Sequence, residues 1–172
     1  INAKTKSGTN EVKAGANFYW EPDALREQRD SSRNNVNSLY RIDNTQDEVD
    51  EWDVNVWASG ALIEDKLFFY ALFNPRSAEN NYTGEQTSTS EGVRQNGYFE
   101  KDDDAFWVAK LDWYVTENNI LEITAFSDER STEITTYDSV DGGDFTNGRV
   151  GYEDEGGLNY TAKWTSIIND DF

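Results

Sequence analysis

Acidic side chains are the first place to look for chemistry in this chain. Asp102, Asp103 and Asp104 stand together, and Asp138, Asp141 and Asp144 recur at every third position. Calcium, a hard cation that gathers several oxygens, is the metal either group would suit. Neither follows the D-x-[DN]-x-[DN]-G order of a calcium-binding loop, and DSVDGGD is only loosely similar to one. Solvated loop acidity outweighs coordination, so no metal site is assigned, with Asp138, Asp141 and Asp144 the nearest approach to one. Asp53 and Glu122 could be paired as the acid and base of a glycosidase. In a chain with 34 Asp plus Glu, however, nothing singles that pair out. Histidine and cysteine are both absent from the sequence. The usual zinc ligands, the commonest general base and the thiol nucleophile go with them. No catalytic residue and no cofactor is assigned, and the chain reads as a non-enzyme. The Gly142-Gly143 and Gly156-Gly157 pairs are turn devices, because no helical pattern follows them to complete a phosphate cradle. What remains is aromatic: six Trp, nine Tyr and nine Phe. Such rings could form a platform for sugars or, where they sit at strand ends, anchors at a membrane surface.

The elements that carry these rings are strands. Residues 105–126, AFWVAKLDWYVTENNILEITAF, read as two limbs around one short polar turn at 116–119. Ala105, Trp107, Ala109, Leu111, Trp113 and Val115 share one face, with Lys110 and Asp112 on the other; Leu121, Ile123 and Ala125 oppose Glu122 and Thr124. The first limb alternates for about eleven residues, the length of a tilted membrane-spanning strand rather than of a sandwich strand. Phe106 and Trp107 at one end and Trp113 and Tyr114 at the other, with Ala109 between, suggest two aromatic girdles.

The same reading along the chain predicts strands near 11–20, 51–62, 67–73, 105–115, 120–136 and 158–166, with a short helical turn near 24–28. Long polar loops at 21–50, 74–104 and 138–156 alternate with short turns such as 63–66. That alternation is the pattern of outer-membrane barrels. The expected fold is therefore all-β: an antiparallel up-and-down meander of about six long strands, forming a segment of a transmembrane β-barrel. Trp20, Trp52 and Trp107 would line the outer girdle, and Phe68, Trp113 and Trp164 the inner one.

Charge narrows the partners. Fifteen Lys plus Arg against 34 Asp plus Glu leave a net charge of -19, which repels phosphate backbones and speaks against nucleic acid. There is no run of about eighteen apolar residues for a membrane-spanning helix, a test that says nothing of β-spans. The chain opens at Ile1 in polar sequence with no signal-peptide pattern, so the expectation is a segment of something longer.

Three stretches resemble a known family in its own order. TKSGTNEVKAGANFYWEPD (5–23) looks like the first barrel strand of TonB-dependent outer-membrane receptors, particularly the Oar-like branch, where an SGTNE-type segment leaves the plug domain. SGALIEDKLFFY (59–70) is similar to a strand-turn-strand segment of that family, and FWVAKLDWYVTENNILEITAF (106–126) to its K-L-D-W-type hairpin. The matches cover the strands but not the loops, about half of the chain. The resemblance implies an importer in the outer membrane of a Gram-negative bacterium, moving a siderophore, an oligosaccharide or a peptide. Its partners would be outer-membrane lipid, the remainder of the barrel and its plug, and the TonB complex acting through that plug. The sequence departs from the family pattern in having no plug domain and only about six strands, so residues 1–172 are expected to be a partial barrel. Even positions of the first strand and odd positions of 105–115 would face lipid, leaving Lys13, Asn17, Asp53, Asn55, Lys110 and Asp112 for the lumen. Tyr19, Trp57, Tyr82 and Tyr98 would then be the substrate contacts. The alternative is a soluble, secreted β-sandwich that binds glycans or calcium.

Overall fold

The computed structural model describes residues 7–90, 92–140 and 146–168. Its strands are β1 (Lys13–Glu21), β2 (Ser32–Arg33), β3 (Tyr40–Ile42), β4 (Glu48–Ile63), β5 (Leu67–Asn74), β6 (Arg76–Thr83), β7 (Thr87–Thr89), β8 (Gly92–Asp102), β9 (Phe106–Thr116), β10 (Asn119–Ser127), β11 (Arg130–Val140), β12 (Thr146–Glu155) and β13 (Leu158–Ser166). One 3-10 turn, Asp23–Leu25, stands where the helical turn was expected. Apart from the β2-β3 hairpin, the strands form one antiparallel sheet.

Many of these strands are halves of longer runs. β5 and β6 meet at Pro75 and lie end to end along β4, with Val54 N–H donating to the Pro75 carbonyl at 2.9 Å. β9 and β8 line the other side of β5 and β6; β10 and β11 follow, then β13 and β12. The architecture is thus an up-and-down meander in which each long run lies beside its neighbour in sequence. Among the described residues the sheet stays open, with β1 at one edge and β12 and β13 at the other.

The structure corrects the expected loops. The span 74–104 contains β6, β7 and β8, and the span 138–156 contains the end of β11 and all of β12. These segments are polar on both faces, so they carry no alternation of apolar and polar residues to betray a strand. Only 21–50 keeps a long irregular stretch, and it holds the 3-10 turn and the β2-β3 hairpin.

The two faces of the lower sheet differ completely. On one, Ala16, Val56, Phe73 and Trp107 share a row, and so do Leu67, Trp113, Leu121 and Trp164. Trp113 is 45% exposed there and Trp164 56%. On the other face, Lys110 and Asp112 are only 6% and 5% exposed. The Lys110 ammonium lies 2.9 Å from Asp112 and 3.5 Å from Glu122, whose other oxygen is 2.6 Å from Lys163. Glu122 faces Lys163 on one neighbouring strand and the like charge of Asp112 on the other, and Lys110 on the adjoining rung is the cation that reaches both carboxylates. Phe68 belongs to this polar face, opposite Asp112 and edge-on to Tyr114 at 5.8 Å, and not to the girdle expected for it. Both faces of β5 are apolar, so sequence alone did not tell which parity pointed outward.

Among the described residues no hydrophobic side chain is buried, while Ser59, Asn74, Asp102, Lys110, Asp112 and Ser127 are. The usual arrangement of a soluble domain is inverted here. The chain also crosses to the polar face before β1: Ser7 Oγ accepts from Lys110 Nζ at 3.1 Å, and Asn10 and Asp65 exchange two hydrogen bonds of 2.6 and 3.0 Å.

A line of breaks crosses the sheet. Carrying the register through the gaps between half-strands places Pro75 opposite Ala105, Ala105 opposite Glu129 and Glu129 opposite Gly156. Most of the apolar band lies below this crease, with Trp20 and Trp52 just above it; farther up both faces are polar. Gly156 has φ of +74°, and a Cβ there would fall 2.2 Å from the Asp128 carbonyl. Replacing it by alanine should cost about 1–3 kcal/mol. Gly151→Ala, where the nearest atom to the added Cβ is 3.9 Å away, should be far milder in the same denaturant titration.

Candidate binding groove on the polar face

Above the crease the polar face is built in rungs. Tyr19, Asp53 and Arg76 stand in one row across β1, β4 and β6; Glu21, Glu51, Ala78 and Asp102 form the next. Alternation puts all of these side chains on the face that carries Lys110 lower down. They line a hollow of about 380 Å³. A second hollow of about 390 Å³ continues it, floored by Val49, Asn80 and Tyr82 and walled by Asp23, Arg29 and Asp47 of the irregular 22–47 segment. Glu21 and Glu51 line both, so the two make one groove running along the strands.

Most of its carboxylates are already engaged. Asp53 Oδ1 accepts from Asn55 and Asn74 at 2.7 and 3.3 Å. Asp102 is ion-paired with Arg130, and Glu21 lies 3.4 Å from Arg26. Arg76 Nε donates to the Asp104 carbonyl at 3.1 Å. These contacts hold the groove's walls in fixed geometry before any ligand arrives.

The 22–47 segment is docked by polar contacts. Asp43, 4% exposed, accepts from Gln95 Nε2 at 2.8 Å and from Thr45 through its hydroxyl at 2.6 Å and its backbone N–H at 3.0 Å. Thr83 donates its hydroxyl to the Asp43 carbonyl at 2.5 Å and its N–H to Asp47 at 2.9 Å. Tyr40 and Gln86 tie the β2-β3 hairpin to the rim by two further bonds. Burial alone would raise the Asp43 pKa, but the bonds from Gln95 and Thr45, with the nearby charge of Arg33, hold it below the ordinary value of 3.8.

The candidate substrate residues divide. Tyr19 lines the first hollow and Tyr82 the second, and Tyr98 stands directly opposite Tyr82 in register. Trp57 lies lower, over Gly15: a Cβ on that glycine would fall 2.8 Å from the indole nitrogen. Trp57 therefore packs across β1 and does not line either hollow. Asp53 and Glu122 are not brought together. The Glu122 row reaches β4 at Ala61, eight residues from Asp53, or about 26 Å along the strand. Asp138 forms a 3.6 Å surface pair with Arg149, while Asp141 and Asp144 lie outside the described residues. Asp102, Asp103 and Asp104 are taken up by Arg130, by Ser77 and Lys101, and by Ser131. No group of three or more Asp or Glu among the described residues is placed to hold a metal ion.

Arg76, Glu21, Glu51, Asp43 and Gln95 were not anticipated. The one signal for the first three was parity, carried up from the apolar band to the start of the expected 51–62 strand for Glu51 and into stretches that look like loop for Glu21 and Arg76. Comparison with family models, with curated proteins and with solved structures finds no match to this chain.

The Asp43 anchor makes docking of the segment sensitive to acid. Its folded pKa is depressed, so the contribution of the charged form is complete above the unfolded value near 3.8 and lost as pH falls through the folded one. Hydrogen exchange at Thr45 and Thr83 should accelerate below about pH 4, and Asp43→Asn should show the fast exchange at neutral pH. Equal protection at both pH values would refute the anchor.

Proposed function

We propose that the chain is part of the wall of a TonB-dependent outer-membrane receptor of a Gram-negative bacterium, importing a substrate without catalysing a reaction. The observation that carries this reading is the inverted burial: no hydrophobic side chain buried among the described residues, and an apolar face turned outward. In water such a face would have to be covered by a second layer. Facing lipid, it needs none. Along β4 the apolar face runs from Trp52 to Leu62, about 33 Å. At the usual strand tilt of outer-membrane barrels that becomes a height of about 25 Å, the thickness such a wall has to match.

Other features support the same reading. The open edges at β1 and at β12 and β13 offer backbone groups to the remainder of a barrel. The charged rungs of Lys110, Asp112, Glu122 and Lys163 would face the lumen, and the segment at Ser7 and Gly8 enters from that side, where a plug would sit. TonB would act through that plug. The sequence stretches that resemble the family map to β1, to the β4-β5 hairpin and to the β9-β10 hairpin, all of them in the apolar band.

The test is dependence on an apolar solvent. The chain should aggregate in plain buffer and show native β-sheet circular dichroism only in detergent micelles or lipid vesicles. There, Leu111→Arg on the outward face should cost about 2–4 kcal/mol, as cations do at the middle of a barrel wall. A soluble, monomeric, folded chain in detergent-free buffer would sink the reading.

A further inference from the structure

We propose that the groove on the polar face takes a neutral, hydroxyl-rich ligand, an oligosaccharide lying along the strands with its sugar rings against Tyr19 at one end and Tyr82 and Tyr98 at the other. The proposal rests on the receptor reading above and narrows its substrate.

Shape is the first ground. The two hollows join at Glu21 and Glu51 into one open trough. From the Arg76 rung to the Tyr82 rung it spans six residues of β6, about 20 Å. That suits an extended chain better than a compact ligand.

The rings are the second ground. Tyr19 is 61% exposed, Tyr98 42% and Tyr82 37%, although all three stand on a face whose other groove members, Val49 and Ala78 apart, are mostly polar. Flat apolar surface inside a polar cleft fits a ligand that is itself flat and apolar on its faces and polar around its rim. A sugar ring has that form, with C–H groups on its faces and hydroxyls at its edge.

Hydrogen-bonding capacity is the third. Between the tyrosines the groove offers Glu21, Glu51 and Asn80 as acceptors, with the Arg76 guanidinium as the main donor. An acceptor-rich wall pairs with a ligand that brings many O–H donors. An anionic ferric chelate brings acceptors and negative charge, and meets carboxylates in a chain of net charge -19. A polycation would want those carboxylates free, yet Asp53, Asp102, Glu21, Asp23 and Asp47 are already bound to Asn55, Arg130, Arg26, Val49 and Thr83. What is left over is single lone pairs, the currency of hydroxyl recognition.

Tyrosine fluorescence and calorimetric titration of the full chain in detergent, with linear neutral glucans, xylans and mannans, oligolysine and a ferric tris-catecholate, test this. At least one neutral glycan should bind, with an affinity unchanged between low and high salt. Tyr19→Ala and Tyr82→Ala should each weaken it roughly tenfold. Tyr82→Phe, which keeps the ring, should restore most of the loss, and all three variants should keep the parent circular dichroism. Binding of oligolysine or the chelate in place of glycans, binding of nothing in the set, or glycan binding that ignores the tyrosines overturns the proposal. The receptor reading fails separately: a chain that folds without detergent and still binds glycans would keep the groove and lose the membrane.

Discussion

Everything in this molecule depends on lateral backbone pairing. Each long run satisfies its N–H and C=O groups on its neighbours in sequence, and the register holds over tens of residues with few shifts. With the backbone satisfied within the sheet, neither face has to be covered on its account. The side chains are then free to sort by surroundings, and they do so by parity: small and bulky apolar residues to one side, ion pairs and amides to the other. A sandwich would spend its apolar face on a second sheet. Here the described residues supply no second sheet beyond the two-stranded β2-β3 hairpin, and the apolar face is left uncovered.

The polar face explains how so many charges coexist on one wall. Lys110 stands between Asp112 and Glu122, and Glu122 between Lys110 and Lys163, so each charge has opposite neighbours. Buried and half-buried charges placed this way offset one another's desolvation, which an isolated one could not do. The same logic recurs higher up with Asp102 and Arg130, and with Lys101 between Glu79 and Asp103. Much of the chain's acidity is therefore structural mortar, and the formal charge overstates what is available to a visitor.

The sequence made the apolar band legible because period-two alternation is unambiguous where one face is uniformly apolar, as in 105–115 and 158–166. It failed where both faces match. In β5, LFFYALFN, both parities are apolar, so Phe68 was put on the wrong side. In β6, RSAENNYT, both are polar, so a strand passed for a loop. The groove was hidden for the same reason. Tyr19, Tyr82 and Tyr98 were visible as rings, but Arg76 and the Asp43–Gln95 contact depend on segments that looked like connections. Trp57 shows the converse limit: a large ring at the right parity, claimed by its neighbour Gly15 for packing.

Along the crease, the ladder is interrupted on one row in run after run, at Pro75, Ala105, Glu129 and Gly156, while the pairing partners on either side stay the same. A sheet that is pleated and hydrogen-bonded resists bending everywhere except where its bonds are already missing. In the runs beyond β4 the breaks are collected into one straight line. β1 and β4 cross that line without a break, so the wall is stiff on their side, where Tyr19 stands, and bends most easily toward β12 and β13.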